Sequence, residues 1–153
     1  MLQREDIKII ENETRKLFGV LGAEVTVQAK NEEETVVVHV IAQDPQEFIG
    51  EGGSILADIQ HVLRSILRKK ILESFYLSLD INEYKKNREN YIREIARTIA
   101  DEVSLLKREK ELPPMSPAER RIVHMEISQR EDVVSESSGE EPDRKVVIRP
   151  KTN

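Results

Sequence analysis

Cysteine and tryptophan are both absent from these 153 residues, and Phe and Tyr number three each. Without cysteine there are no disulfide staples, no thiolate chemistry and no cysteine-based zinc site. With aromatics at 4% and hydrophobic residues at 38%, any core must be aliphatic and modest. No apolar run approaches the roughly 18 residues of a membrane span, and the opening MLQREDIKIIENETRK is too acidic and polar for a secretory signal. A cytosolic protein without membrane association is expected. The chain has no GxxxxGK[ST] nucleotide loop and no HExxH zinc motif. Its length allows one ordinary domain or two small ones.

Charge of one sign is also short, but unevenly so. The net charge is −5, which by itself argues against a general binder of polyanions. Residues 1–60 carry 5 basic and 12 acidic groups, net −7; residues 61–130 carry 15 and 11, net +4; residues 131–153 carry 4 and 6, net −2. Screening hides charges beyond roughly 8 Å at physiological salt, so a local basic surface matters more than the global sum.

The hydropathy pattern resolves into short elements. Ile7, Ile10, Thr14, Leu17 and Leu21 recur at helical spacing, and Gly19 and Gly22 suit the end of that helix. Residues 24–30 alternate Val25, Val27 and Ala29, and residues 35–41 form a β-branched run, together a hairpin turning at Asn31–Glu34. Asp44-Pro45-Gln46-Glu47 reads as an N-cap followed by proline at the first helical position. Gly50 to Gly53 interrupt that helix. The next carries Ile55, Ile59, Val62, Leu63, Ile66 and Leu67 on its expected buried stripe, with His61, Arg64 and Arg68 opposite. Residues 75–81 alternate as a third strand. Asn82 is placed to cap a long helix whose apolar stripe is Tyr84, Tyr91, Ile95, Ile99, Val103 and Leu106. Ser116-Pro117-Ala118-Glu119 has the form of a capping box opening a further helix to about Ile127. Val133-Val134 and Arg144–Arg149 read as short strands joined by the acidic stretch Ser137–Asp143. The boundary between two modules falls at 81/82.

Two features carry chemistry. The first is Ile49-Gly50-Glu51-Gly52-Gly53-Ser54, where glycines and the following helix N-terminus would let a phosphate chain approach backbone N–H groups. Alone, a GxxG sequence is a weak signal and marks a plain helix–helix turn more readily than a binding loop. In its αββααβ context it resembles the type II KH domain of prokaryotes, whose loop grips the sugar–phosphate backbone of about four unstacked nucleotides. The middle positions of that loop are commonly basic or neutral, whereas here they are Glu51 and Gly52. Either Arg64, Arg68 and the Lys69–Lys70 pair compensate for Glu51, or this half serves mainly to dimerise. By charge alone, Arg64 and Arg68 also fit a solvated helix face.

The second feature is Arg120-Arg121-Ile122-Val123-His124, in which Arg120 and His124 share a helix face four residues apart. Arginine can hold phosphate through two donors, and histidine can add a donor or stack on a base. By spacing alone this is a weak signal, because Arg and His four apart often just face solvent. The wider run from Pro113 to His124, followed by Ser135 to Ile148, resembles the R-three-H domain of bacterial Jag-type proteins, named for an Arg-x-x-x-His signature that Arg120 and His124 match. A KH module followed by an R-three-H module is the domain order of the Jag family (also called SpoIIIJ-associated proteins). The resemblance implies single-stranded nucleic-acid binding, more RNA than DNA, with no cofactor and no metal. It also implies a role in growth or division, and pairing of the KH half with a second copy or a small stand-alone KH protein. Many members carry an additional Jag-N domain, which this sequence is expected to lack, so envelope functions are not carried over.

The expectation is therefore α+β: a type II KH-like αββααβ domain over 1–81 and a small R-three-H domain over 82–153. Nucleic-acid contacts are expected from Gly50, Glu51, Gly52, Gly53, Arg64, Arg68, Arg120, Arg121, His124, Arg144 and Lys145. The competing class is a protein-interaction module in which RNA contact is incidental. A hydrolase is disfavoured because clustered carboxylates for metal are missing and neither His39 nor His61 has an evident catalytic partner.

Overall fold

The computed structural model describes residues 1–152, which fall into two compact units, Met1–Lys85 and a second beginning at Lys86. The first unit runs α1 (Arg4–Val20), β1 (Thr26–Glu32), β2 (Thr35–Ile41), α2 (Gln46–Ile49), α3 (Ser54–Leu67) and β3 (Tyr76–Ile81). Its sheet has the order β1-β2-β3, with β1 antiparallel and β3 parallel to β2. Val27, Ala29, Val36, Val38, Val40, Leu77 and Leu79 point to one face of the sheet, as strand alternation requires, and pack with Ile10, Phe18, Leu56, Ile59, Leu63 and Leu67 of the helices. Phe18 and Phe48 meet edge to face at 5.4 Å.

Two helix stripes keep their expected centres, Ile10 and Thr14 on α1 and Ile59, Leu63 and Leu67 on α3, and differ at their edges. On α3, Ile55 and Val62 are exposed while Leu56 is buried. On α1, Phe18 enters the core and Leu21 stays at the surface. Asn82 does not cap the following helix. Its side-chain amide pairs with the Ala42 backbone in both directions, at 2.9 Å each, and Asp80 Oδ1 accepts the Lys85 backbone N–H instead. Nor does Asp44 cap α2, which has Pro45 at its N-cap position and no side-chain cap bond.

Both edge strands of this sheet meet a helix side-chain pair of one design. On α1, Glu11 Oε1 accepts the Ala29 N–H at 3.0 Å while Arg15 donates to the Val27 carbonyl at 3.5 Å. On α3, Gln60 Oε1 accepts the Leu79 N–H at 2.9 Å while Arg64 donates to the Leu77 carbonyl at 3.4 Å. In each case an acceptor and an arginine four residues later, neighbours on the helix surface, engage the N–H and C=O of two strand residues that share a face.

The helix α4 (Tyr84–Leu106) continues into the second unit, which adds β4 (Lys110–Glu111), α5 (Pro117–Ser128), β5 (Val133–Ser138) and β6 (Lys145–Pro150). Its sheet order is β4-β6-β5, antiparallel throughout. The buried stripe of α4 is Ile92, Ala96, Ala100 and Val103; of the expected stripe Val103 is fully buried, Ile95 and Ile99 pack partly buried beside it, and Tyr91 and Leu106 are exposed. Small alanines let neighbouring elements come close, so the side of the helix with less apolar bulk faces inward. The core joins this stripe to Leu112, Met115, Val123, Ile127, Val133, Val146 and Ile148.

Candidate nucleic-acid interface

The helix α5 starts where its sequence says it should. Ser116 Oγ accepts the Glu119 N–H at 3.2 Å and the Glu119 carboxylate accepts the Ser116 N–H at 3.1 Å, a complete capping box. This fixes the helical phase, so that Pro117, Arg120, Arg121, His124 and Ser128 come to one side. Across from them, Ser137 of β5 and Arg144, just before β6, close an open depression of about 440 Å³, with Met125 at its margin.

The cations in this depression are not equivalent. Arg120 is buried, donating through Nη1 to the Met115 carbonyl at 2.7 Å and through Nη2 to Glu141 Oε1 at 2.6 Å. The Arg121 side chain is exposed and makes no hydrogen bond or ion pair among the described residues. Arg144 donates to the Gly139 carbonyl at 2.6 Å. His124 is held between two hydroxyls: Nδ1 lies 2.7 Å from Ser135 Oγ and Nε2 lies 2.8 Å from Ser137 Oγ. Burial, and then the Arg120 charge, hold its pKa below the ordinary imidazole value, so the ring is neutral at pH 7.

Lys145 does not join this group. Alternation along β6 turns it to the opposite face of the sheet from Val146 and Ile148, where it pairs with Glu111 at 2.5 Å. The basic excess of the middle segment is likewise largely spent within the second unit. Arg88 pairs with Glu119, Arg97 with Glu126 and Arg130 with Asp101 and Asp132. No continuous basic stripe is left by those residues.

In the first unit, the glycine loop forms a single 3₁₀ turn between α2 and α3. Gly50, at φ 72°, sits so that a Cβ would come within 2.6 Å of Ile55 Cγ1, and at Gly53, φ 81°, a Cβ would lie 3.0 Å from the Tyr84 ring. These two glycines are demanded by packing as well as by backbone conformation. Glu51 and Gly52 are exposed. Arg64 and Arg68 stand eleven and fifteen residues beyond Gly53, which at about 1.5 Å per residue puts them roughly 16 and 22 Å along α3. That exceeds the screening length, so they do not offset Glu51. They line a separate depression of about 410 Å³ with Ile71, Leu72 and Phe75. Lys70, also expected to help, pairs with Glu13 at 2.6 Å.

Ser135, Ser137 and Glu141 complete the α5 site and are not evident from the sequence. The signals are that they fall within the Ser135–Ile148 run that carries the R-three-H resemblance and that Val133, Ser135 and Ser137 share one parity along a strand. Among the described residues, no group of three or more His, Asp or Glu is placed to hold a metal, and no helix is long and apolar enough to cross a membrane.

These features define a mixed α/β protein whose residues 90–150 match the R-three-H domain. The chain is 30% identical over 128 residues to the RNA-binding protein KhpB of Clostridium symbiosum, covering 84% of this chain and 58% of that protein. It is 28% identical over 128 residues to KhpB of Streptococcus pneumoniae serotype 2, covering 84% and 39%, and 27% identical over 131 residues to KhpB of Bacillus subtilis, covering 84% and 62%. The chain thus spans roughly two fifths to three fifths of the length of these curated relatives.

Proposed function

We propose that this protein binds single-stranded RNA through the depression on α5, and that it acts as a non-enzymatic regulator in growth or division. One observation carries the reading: three guanidinium groups, Arg120, Arg121 and Arg144, converge with the His124–Ser137 pair on one open surface. Phosphate is the ligand class that suits planar cationic donors beside neutral hydroxyls. Arg121 meets the strand first, being exposed and unpaired. Arg120 reaches phosphate by exchanging the Glu141 carboxylate for a phosphate oxygen, while its bond to the Met115 carbonyl holds the guanidinium in place. The exposed Met125 offers apolar surface to a base, and with so few aromatics stacking is limited, so sequence selectivity is weak. Titrating a fluorescent oligoribonucleotide tests the reading: Arg121→Ala with Arg144→Ala is expected to weaken binding at least tenfold, and an unchanged affinity would remove the site.

The unit before Lys86 supports a type II KH-like reading over 1–81, joined to an R-three-H module over 82–153. A specific observation favours association with another KH copy over RNA capture in this half. Around the glycine loop, Asp44, Glu47, Glu51 and Asp58 are acidic, and the arginines of α3 lie too far along the helix to neutralise them. Sedimentation with and without RNA separates the two roles: dimerisation independent of RNA supports pairing through this unit, and a monomer that shifts only with RNA opposes it.

A further inference from the structure

The histidine of the Arg-x-x-x-His signature has both ring nitrogens in use. Its neutral ring carries one N–H and one lone pair, and its neighbours are two hydroxyls that each donate one hydrogen bond and accept others. Two proton arrangements satisfy both ring nitrogens. In one, Nδ1–H donates to Ser135 and Nε2 accepts the Ser137 O–H. In the other, Nε2–H donates to Ser137 and Nδ1 accepts the Ser135 O–H. They differ at the surface of the depression. In the first, Ser137 presents only oxygen lone pairs, which repel an anion; in the second, its hydroxyl hydrogen is free to point outward.

We propose that Ser137, and not His124, contacts the phosphate in this depression, and that His124 is the positioning residue that frees the Ser137 hydroxyl to donate. The inference rests on the nucleic-acid reading of the α5 site and goes further, into which atom meets the ligand. Three observations support it. Ser137 lines the depression whereas Ser135 does not. The distances of 2.7 and 2.8 Å leave no room for a ligand oxygen between the ring and either hydroxyl. Antiparallel pairing of Ser135 with Ile148 and Ser137 with Val146 locks both serines toward α5. No proton is gained or lost: an anion selects the arrangement with hydrogen on Nε2, and both hydroxyls rotate to match.

The test is nitrogen-15 NMR on the full chain labelled at histidine, titrated first with inorganic phosphate and then with a short oligouridylate. Saturation is expected to convert His124 to the form with a pyrrole-type Nε2 and a pyridine-type Nδ1. In parallel, Ser137→Ala is expected to weaken oligouridylate binding about tenfold, as much as His124→Ala. The double variant should be no weaker than either, and Ser137→Thr, which keeps the hydroxyl, should bind like the parent. Undiminished binding by Ser137→Ala, losses that multiply in the double variant, or a ring unchanged at saturation would each overturn the proposal. If oligouridylate does not bind but phosphate shifts the ring, the RNA reading fails and the role of Ser137 stands. If oligouridylate binds and the ring does not respond, the RNA reading survives and the role of Ser137 falls.

Discussion

Arg120 and Glu141 form an ion pair at 2.6 Å in which the arginine side chain is only 9% exposed and the glutamate 54%. The carboxylate therefore sits on the solvent side of a nearly buried cation, and on the proposed reading a phosphate oxygen would displace it there. Glu141→Gln keeps the shape and removes the competing charge. It is expected to tighten single-strand binding by three- to tenfold, as loss of a half-exposed pair worth about 1 kcal/mol would give. Equal affinity of parent and variant in a fluorescence titration would show that Arg120 does not exchange partners.

The two adjacent arginines should respond differently to truncation. Arg120→Ala leaves the Met115 carbonyl without its donor and is expected to cost about 1.5–3 kcal/mol of stability, the range for a hydrogen bond to a charged group. Arg121→Ala removes an exposed side chain and should stay within about 0.5 kcal/mol. Urea denaturation distinguishes them. Arg121 is accordingly the cleaner probe of binding, since a loss at Arg120 mixes affinity with folding.

Salt provides a count of contacts. For single strands the slope of log K against log salt is about −0.7 per phosphate neutralised. Arg121→Ala and Arg144→Ala should each flatten the slope by about 0.7, whereas Lys145→Ala, on the other side of the sheet and paired with Glu111, should leave it unaltered. A flattened slope for Lys145→Ala would place the strand on the wrong face.

His124 gives the fold a pH dependence of definite sign. Its pKa is lowered in the folded protein by burial and by Arg120, while in the unfolded chain it returns to about 6.5. Between those two values the unfolded state binds more protons, so stability rises with pH. The contribution is fully present above about 6.5 and is lost as pH falls through the folded-state value. Glu13 and Asp132, both lowered chiefly by hydrogen bonds from Lys70 and Arg130 respectively, add a further decline in more acid solution. Melting temperatures from pH 8 to 5 are expected to fall in the parent and to fall less in His124→Gln.

The features legible in the sequence are those encoded by neighbours along the chain. The Ser116–Glu119 box and the four-residue spacing of Arg120 and His124 set α5 and its polar side without any knowledge of what packs against it. The missing part of the site depends on pairing across the sheet. Apolar alternation stops after Val133-Val134, and the serine-rich continuation resembles a turn, yet its register against Val146 and Ile148 makes Ser135 and Ser137 strand residues facing the histidine. Glu141 reaches Arg120 across 21 positions, a separation no local pattern encodes. On α4, equal periodicity on two adjacent faces leaves the choice to packing, and Ala96 and Ala100 turn inward because they permit closer approach. Arg64 reads as a surface cation because its acceptor is a backbone carbonyl, invisible in side-chain chemistry.

That carbonyl belongs to an arrangement that governs how the first unit can associate. Glu11 and Arg15 on one flank of the sheet, Gln60 and Arg64 on the other, occupy main-chain groups that an incoming strand would need for its own ladder. Growth by strand addition is thereby hindered at both edges, the kind of cover that edge strands need against open-ended stacking. Were a second copy to dock on this unit, as proposed, side chains on a helix or on the uncovered side of the sheet would meet it, and complementarity of shape and charge, rather than the generic grammar of the backbone, would select who binds.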